Sequence, residues 1–86
     1  MFNYKINLKK TAQKQLKSLP EEIRNRLNAK IDNLAIDPCP LGCKKLKGND
    51  NLWRIRVADY RIIYSIYDQK LIIYIFKVGH RREIYD

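Results

Sequence analysis

The chain opens on an alternation in which Phe2, Tyr4, Ile6 and Leu8 are apolar and Asn3, Lys5 and Asn7 between them are polar. A period of two belongs to a strand with one buried face, so a first strand is predicted over residues 2–8. From Lys9 the period lengthens. Ala12, Leu16 and Leu19 fall at i, i+4 and i+7 with lysine and glutamine between them, which predicts a short amphipathic helix. It stops at Leu19-Pro20, because a residue before proline is pushed out of the helical region. Ser18 and Glu21 have the spacing of a capping box, and Pro20 suits the first turn of a second helix. That helix is predicted to run to about Ala35, with Ile23, Leu27, Ile31 and Leu34 on one stripe and Asp37-Pro38 as its end.

Residues 37–52 gather most of the punctuation, with Pro38, Pro40, Gly42, Gly48 and the polar run Asn49-Asp50-Asn51. They read as a loop that carries Lys44, Lys45 and Lys47 toward the elements that follow. Three strand-like runs come next, 53–58, 60–67 and 71–78, parted by Ala58-Asp59 and by Asp68-Gln69-Lys70. The run from Leu71 to Phe76 is apolar on both sides and is predicted in the middle of the sheet. The order β-α-α-β-β-β predicts a two-layer α+β domain, a helical hairpin packed on a small, mostly antiparallel sheet. At 86 residues the chain is read as one domain, 1–86, large enough for a single core.

The first two of these runs carry charge in a particular place. Trp53, Ile55 and Val57 alternate with Arg54 and Arg56, so one side of that strand is apolar and the other cationic. A tight turn at Ala58-Asp59 would set Val57 opposite Tyr60, Arg56 opposite Arg61 and Ile55 opposite Ile62. Three arginines then share one sheet face. Like charges directly across a ladder repel, so the pattern either leaves the arginines splayed in water or has an anion to hold, which is read here as a polyphosphate backbone. The whole chain points the same way, with Lys+Arg of 18 against Asp+Glu of 9 and a formal charge of +9. A surface that basic attracts nucleic acid, an acidic protein or an anionic membrane.

Other classes are disfavoured. The first residues lack an apolar stretch of signal-peptide length, and Leu71 to Phe76 is far too short to span a bilayer. A cytoplasmic protein with no membrane partner is expected. Cys39 and Cys43 with the single His80 do not make a four-ligand zinc site within one chain, so neither a metal nor another cofactor is expected. In a reducing cytosol the cysteines read as two small loop residues, with an oxidation-sensitive pair as the alternative.

The run KKLKG at 44–48, then WRIRVADYRIIY at 53–64, a short hairpin, an apolar strand and VGHRREIYD at 78–86 resembles the RelE/ParE superfamily of bacterial and archaeal toxins. The resemblance covers nearly the whole chain, element order included. It implies a toxin of a type II toxin–antitoxin system that pairs with a small antitoxin and reaches operator DNA only through that complex. RelE-like members cleave messenger RNA on the ribosome; ParE-like members instead inhibit DNA gyrase. On the RelE pattern the functional positions fall on Arg54, Arg56, Arg61, Arg81 and Tyr85. The chain departs from that pattern in having arginine rather than lysine at 54 and 56, a short stretch between Arg81 and Tyr85, and no helix after Tyr85.

Metal-free RNA cleavage needs the 2′-hydroxyl deprotonated, the pentacovalent phosphorane stabilised and the 5′-oxygen protonated as it leaves. Arginine suits the middle task, since its planar fork holds two phosphate oxygens and keeps its charge, which also unfits it as a base. Arg61 and Arg81 are assigned to the phosphorane. For the protons the candidates are His80, the one side chain here of a type that ordinarily changes charge near neutrality, and Tyr85, should neighbouring arginines lower its pKa. Lys44, Lys45, Lys47, Arg54 and Arg56 are expected to contact RNA phosphates without choosing sequence. Trp53 is read as core rather than as a base-stacking platform. An RNA-cleaving toxin acting with the ribosome is thus the leading expectation, and gyrase inhibition the alternative.

Overall fold

The computed structural model describes residues 3–48 and 51–80. Along the chain they form β1 (Lys5–Leu8), α1 (Lys10–Lys17), α2 (Glu21–Leu34), β2 (Lys44–Lys45), β3 (Trp53–Val57), β4 (Tyr60–Tyr67) and β5 (Ile72–His80). The five strands make one sheet in the order β1-β5-β4-β3-β2. Only β1 and β5 run parallel; the other neighbours are antiparallel. The two-layer α+β reading holds, with β5 inside the sheet as its apolar run requires.

One face of the sheet carries the core. Ala12 and Leu16 of α1 and Leu27, Ile31 and Leu34 of α2 pack on Ile55, Ile62, Tyr64, Ile73, Ile75 and Val78. The helical periods and the alternation of β3 mark Ala12, Leu16, Leu27, Ile31, Leu34 and Ile55, whereas the inward residues of β5 are not separable in a run apolar on both sides. Burying each large side chain stabilises the fold by roughly 1.5–3 kcal/mol. Helix α1 is also fixed by a polar contact: the Oε1 of Gln15 accepts the backbone N–H of Val78 at 2.7 Å. The ladder between β4 and β5 slips once, between Ile63 and Tyr64, where Ile63 pairs with Lys77 and Tyr64 with Ile75. Phe76 is the extra residue, so the bulge lies in β5 and β4 stays regular.

Three local expectations change. Ser18 is the C-cap of α1 rather than part of a capping box; its hydroxyl donates back to the Gln15 carbonyl at 2.7 Å, and α2 starts from Pro20 with no side-chain cap. With Leu19-Pro20 the only link between the helices, Ser18 is spent on the helix it ends. The stretch 37–52 is not wholly loop, because Lys44 and Lys45 pair with Arg54 and Trp53 as an edge strand. Two residues are too few for a period to show. Cys39 and Cys43 are joined in a disulfide rather than left as thiols, their Cα atoms 5.3 Å apart. The cause is local: the Cys43 N–H donates to the Pro40 carbonyl at 2.9 Å, and Gly42 has φ of 96°. Glycine at the third position of such a turn reverses the chain and brings the two cysteines together.

Candidate phosphate site

The hairpin Trp53–Tyr67 builds the site. The register is the one its sequence pattern requires, Val57 with Tyr60, Arg56 with Arg61, Ile55 with Ile62 and Arg54 with Ile63. Partners in a ladder share a face, so the core row Ile55–Ile62–Val78 leaves Arg54, Arg56 and Arg61 on the side away from the helices. Lys44 joins them by pairing with Arg54. Together with Gly42 these four cations line a cavity of about 250 Å³.

Arg56 and Arg61 are held differently. Arg56 is exposed, donates from Nε to the Ala58 carbonyl at 2.7 Å and has its Nη2 3.8 Å from Asp59, so the turn steadies it. An exposed pair of that kind contributes little to stability. Arg61 is half-buried, with its Nε shut away from solvent. Its neighbour on β5 is Gly79, where an added Cβ would meet nothing within 4 Å. The row Arg56–Arg61–Gly79 therefore carries two guanidinium groups and then open space, room that a larger side chain at 79 would take. Gly42, which lines the cavity, and Gly79, which pairs with Arg61, are positions that the charge pattern did not flag; for Gly79 the available signal is a glycine inside a strand.

The other expected site residues fall as follows. His80 pairs with Tyr60, not Arg61, so alternation puts it on the helix face, and its ring stands edge-on to Tyr60 at 5.5 Å between centroids. Among the described residues the structure does not place it on the face of Arg54, Arg56 and Arg61, and the reason is a shift of one residue: Gly79 takes the place beside Arg61. Arg81 and Tyr85 lie outside the described residues. Lys45 is exposed opposite Trp53, and Lys47 lies exposed past the end of β2; neither lines the cavity. Trp53 is half-buried against the core and donates from Nε1 to Asn51 at 3.3 Å, in keeping with its reading as core.

A family model described as the ParE toxin of type II toxin–antitoxin systems (parDE) matches residues 6–85. The chain belongs to this family. Within it the toxin is of the RelE kind: it is 36% identical to Toxin RelE3 of Methanocaldococcus jannaschii, over 95% of this chain and 96% of that one. It is 26% identical to the mRNA interferase toxin RelE of Escherichia coli K12, over 95% of this chain and 90% of that one. Among solved structures, the toxin is similar to a chain of the archaeal RelE–RelB complex from Pyrococcus horikoshii OT3. The TM-score is 0.82 at 32% identity, covering 94% of this chain and 98% of that chain. The isolated Escherichia coli RelE toxin superposes with a TM-score of 0.79 at 26% identity, covering 95% of this chain and 90% of that chain. Among the described residues of the toxin no helix is long and apolar enough to cross a membrane.

Proposed function

We propose that this toxin is an endoribonuclease that cleaves messenger RNA on the ribosome by acid–base chemistry supplied by its own side chains. The observation that carries the reading is the convergence of Arg54, Arg56, Arg61 and Lys44 on one cavity. A cluster of fixed cations is costly until an anion enters, and a phosphodiester approaching the phosphorane gains negative charge as it reacts. In this scheme the 2′-hydroxyl gives up its proton to the base as its oxygen bonds the adjacent phosphorus, and Arg61 and Arg81 hold the equatorial oxygens. The bond from phosphorus to the 5′-oxygen breaks as that oxygen takes a proton from the acid, leaving a 2′,3′-cyclic phosphate and a 5′-hydroxyl. Arg54, Arg56 and Lys44 hold the flanking phosphates, with Lys45 and Lys47 extending the basic track. Tyr85 is the first choice for proton transfer. His80 keeps such a role only if its ring leaves Tyr60 and turns around the end of β5.

The solved relatives from Pyrococcus horikoshii and Methanococcus jannaschii are RelE–RelB complexes. That likeness supports a cognate antitoxin as the toxin's partner; a cytoplasmic location, and contact with operator DNA only through the antitoxin complex, belong to the same proposal. An acidic, amphipathic partner that orders as it wraps a +9 domain fits the charge.

The match to the ParE model supports a second reading, non-enzymatic inhibition of DNA gyrase. One assay separates the two: messenger RNA with and without ribosomes, beside gyrase supercoiling. Ribosome-dependent cleavage that is lost in Arg61→Ala supports the nuclease. Intact messenger RNA with falling supercoiling overturns it in favour of gyrase.

A further inference from the structure

The outer sheet face has a second feature, at the far end of β4 from the arginines. Because β4 is regular, Arg61, Ile63, Ser65 and Tyr67 project to the same side. Tyr74 pairs with Ser65 and so joins that side, where it meets Tyr67 edge-on at 5.5 Å between ring centroids. The bulge adds Phe76, whose ring lies 6.5 Å from Tyr74 at 31°. The Nζ of Lys9 stands 4.5 Å from the centre of the Tyr74 ring. Lys9, Tyr67, Lys70, Tyr74 and Phe76 line a cavity of about 300 Å³, within the size range of small-ligand sites. Tyr67 is 42% exposed, one of the few large hydrophobic side chains among the described residues so open to water.

Folding alone does not account for this arrangement. Three aromatic rings on the face away from the core add nothing to the helix–sheet interface, and an open patch of rings is an aggregation hazard unless it has a use. Lysines at its border exclude a purely apolar occupant and favour an anionic one. Aromatic rings interleaved with cations are the combination that holds single-stranded nucleic acid, bases on the rings and phosphates on the ammonium groups. The six steps of β4 from Arg61 to Tyr67 set this patch roughly 20 Å from the arginine cavity along one face.

We propose that Tyr67, Tyr74 and Phe76, bordered by Lys9 and Lys70, form a stacking subsite for a single-stranded RNA segment that flanks the linkage held by the arginines. The subsite rests on the RNA reading given above, and it deepens that reading by naming where binding energy comes from outside the reacting centre. Tyr67 offers the open ring. Tyr74, already covered by Lys9, backs it edge-on.

The test is equilibrium binding of a labelled single-stranded RNA, 2′-O-methylated so that it cannot be cleaved, to the free toxin. Partial oligonucleotides that keep the backbone but lack bases over the flanking half serve as the second probe. Tyr67→Leu should weaken the complete RNA by roughly tenfold and leave the partly abasic RNA unchanged, while Lys70→Ala should weaken both. Arg61→Ala separates this subsite from the cavity: a Tyr67→Leu effect that persists in the Arg61→Ala background supports the subsite even if the cavity assignment fails. Equal affinity of the wild type and Tyr67→Leu for the complete RNA, with both folded by circular dichroism, overturns the proposal. So does a Tyr67→Leu variant that keeps RNA but loses the antitoxin, since the patch would then be a protein-docking surface.

Discussion

Arg56 stands directly opposite Arg61 across the ladder between β3 and β4. Two guanidinium groups at paired positions cost the fold a fraction of a kcal/mol to about 1 kcal/mol, and that cost falls when an anion sits between them. Pyrophosphate should therefore raise the melting temperature. At a hundredfold excess over its dissociation constant the gain is about 2.7 kcal/mol, roughly 10–20 °C for a domain of this size. In Arg61→Gln most of the shift should vanish, as thermal denaturation followed by circular dichroism would show; an undiminished shift would place the anion elsewhere.

The register makes Arg61 and His80 unequal. Arg61 lines the cavity and His80 lies on the other face against Tyr60. Arg61→Ala should lower ribosome-dependent cleavage by about 10²–10³-fold, the size of loss seen when one charge-stabilising donor is removed. His80→Ala should cost less than about tenfold, well below the general acid–base range, and Tyr85→Phe should cost more than His80→Ala. Primer extension on a ribosome-bound message measures all three. A His80→Ala defect as deep as that of Arg61→Ala would return the histidine to the site.

Salt reports the same contacts in another way. Replacing a lysine or arginine that neutralises one phosphate should lower the slope of log affinity against log salt by about 1. Arg54→Gln is expected to do so for single-stranded RNA; an unchanged slope would mean that Arg54 touches no phosphate.

Tyr64 ties the core to the disulfide loop. It is fully buried, its hydroxyl donates to the Pro38 carbonyl at 2.7 Å, and the Sγ of Cys43 lies 3.1 Å from the same oxygen. Tyr64→Phe leaves that carbonyl without its donor and should cost about 1–3 kcal/mol in urea denaturation. Burial, with the nearby Asp37 carboxylate second, pushes the Tyr64 phenol well above its ordinary range. The folded state thus holds this proton more tightly than the unfolded chain, whose tyrosines titrate near pH 10. The associated stability is complete below about pH 10 and is lost as pH rises further. Tyr4, raised chiefly by the hydrogen bond it donates to Asp68, adds to the same trend. Tyr64→Phe should flatten the alkaline fall in stability; a fall of unchanged steepness would contradict the assignment.

Asn51 acts as a substitute strand partner. Its side-chain amide donates to the Ile66 carbonyl at 2.7 Å and accepts the Ile66 N–H at 3.0 Å, and its own carbonyl accepts from the buried Ser65 hydroxyl. Asn51→Ala should destabilise by about 1–3 kcal/mol, because two backbone groups of β4 lose their partners. Asn51→Asp, which can still accept but not donate, should fall between. Hydrogen exchange at the Ile66 amide checks the cause as well as the amount, since it should accelerate in Asn51→Ala ahead of the rest of β4.

The sequence by itself determined the layers and the arginine face. Periods of two and 3.6 identify which residues are apolar on one side, and a two-residue link at Ala58-Asp59 leaves a single register, so the opposition of Arg56 and Arg61 was legible without coordinates. Only the tertiary structure decided what depends on contacts between distant segments or on a count of one. The pairing of Lys44 with Arg54, which completes the cavity, rests on a turn held by Pro40 and Gly42 that no periodicity announces. The place of His80 depends on which residue of β5 meets Arg61, and in a strand a step of one moves a side chain through the sheet. The ring cluster of Tyr67, Tyr74 and Phe76 needed both the β4–β5 register and the bulge at Phe76. Hydrophobic pattern fixes faces because burial acts residue by residue; register between separate strands is settled by the packing of the whole domain.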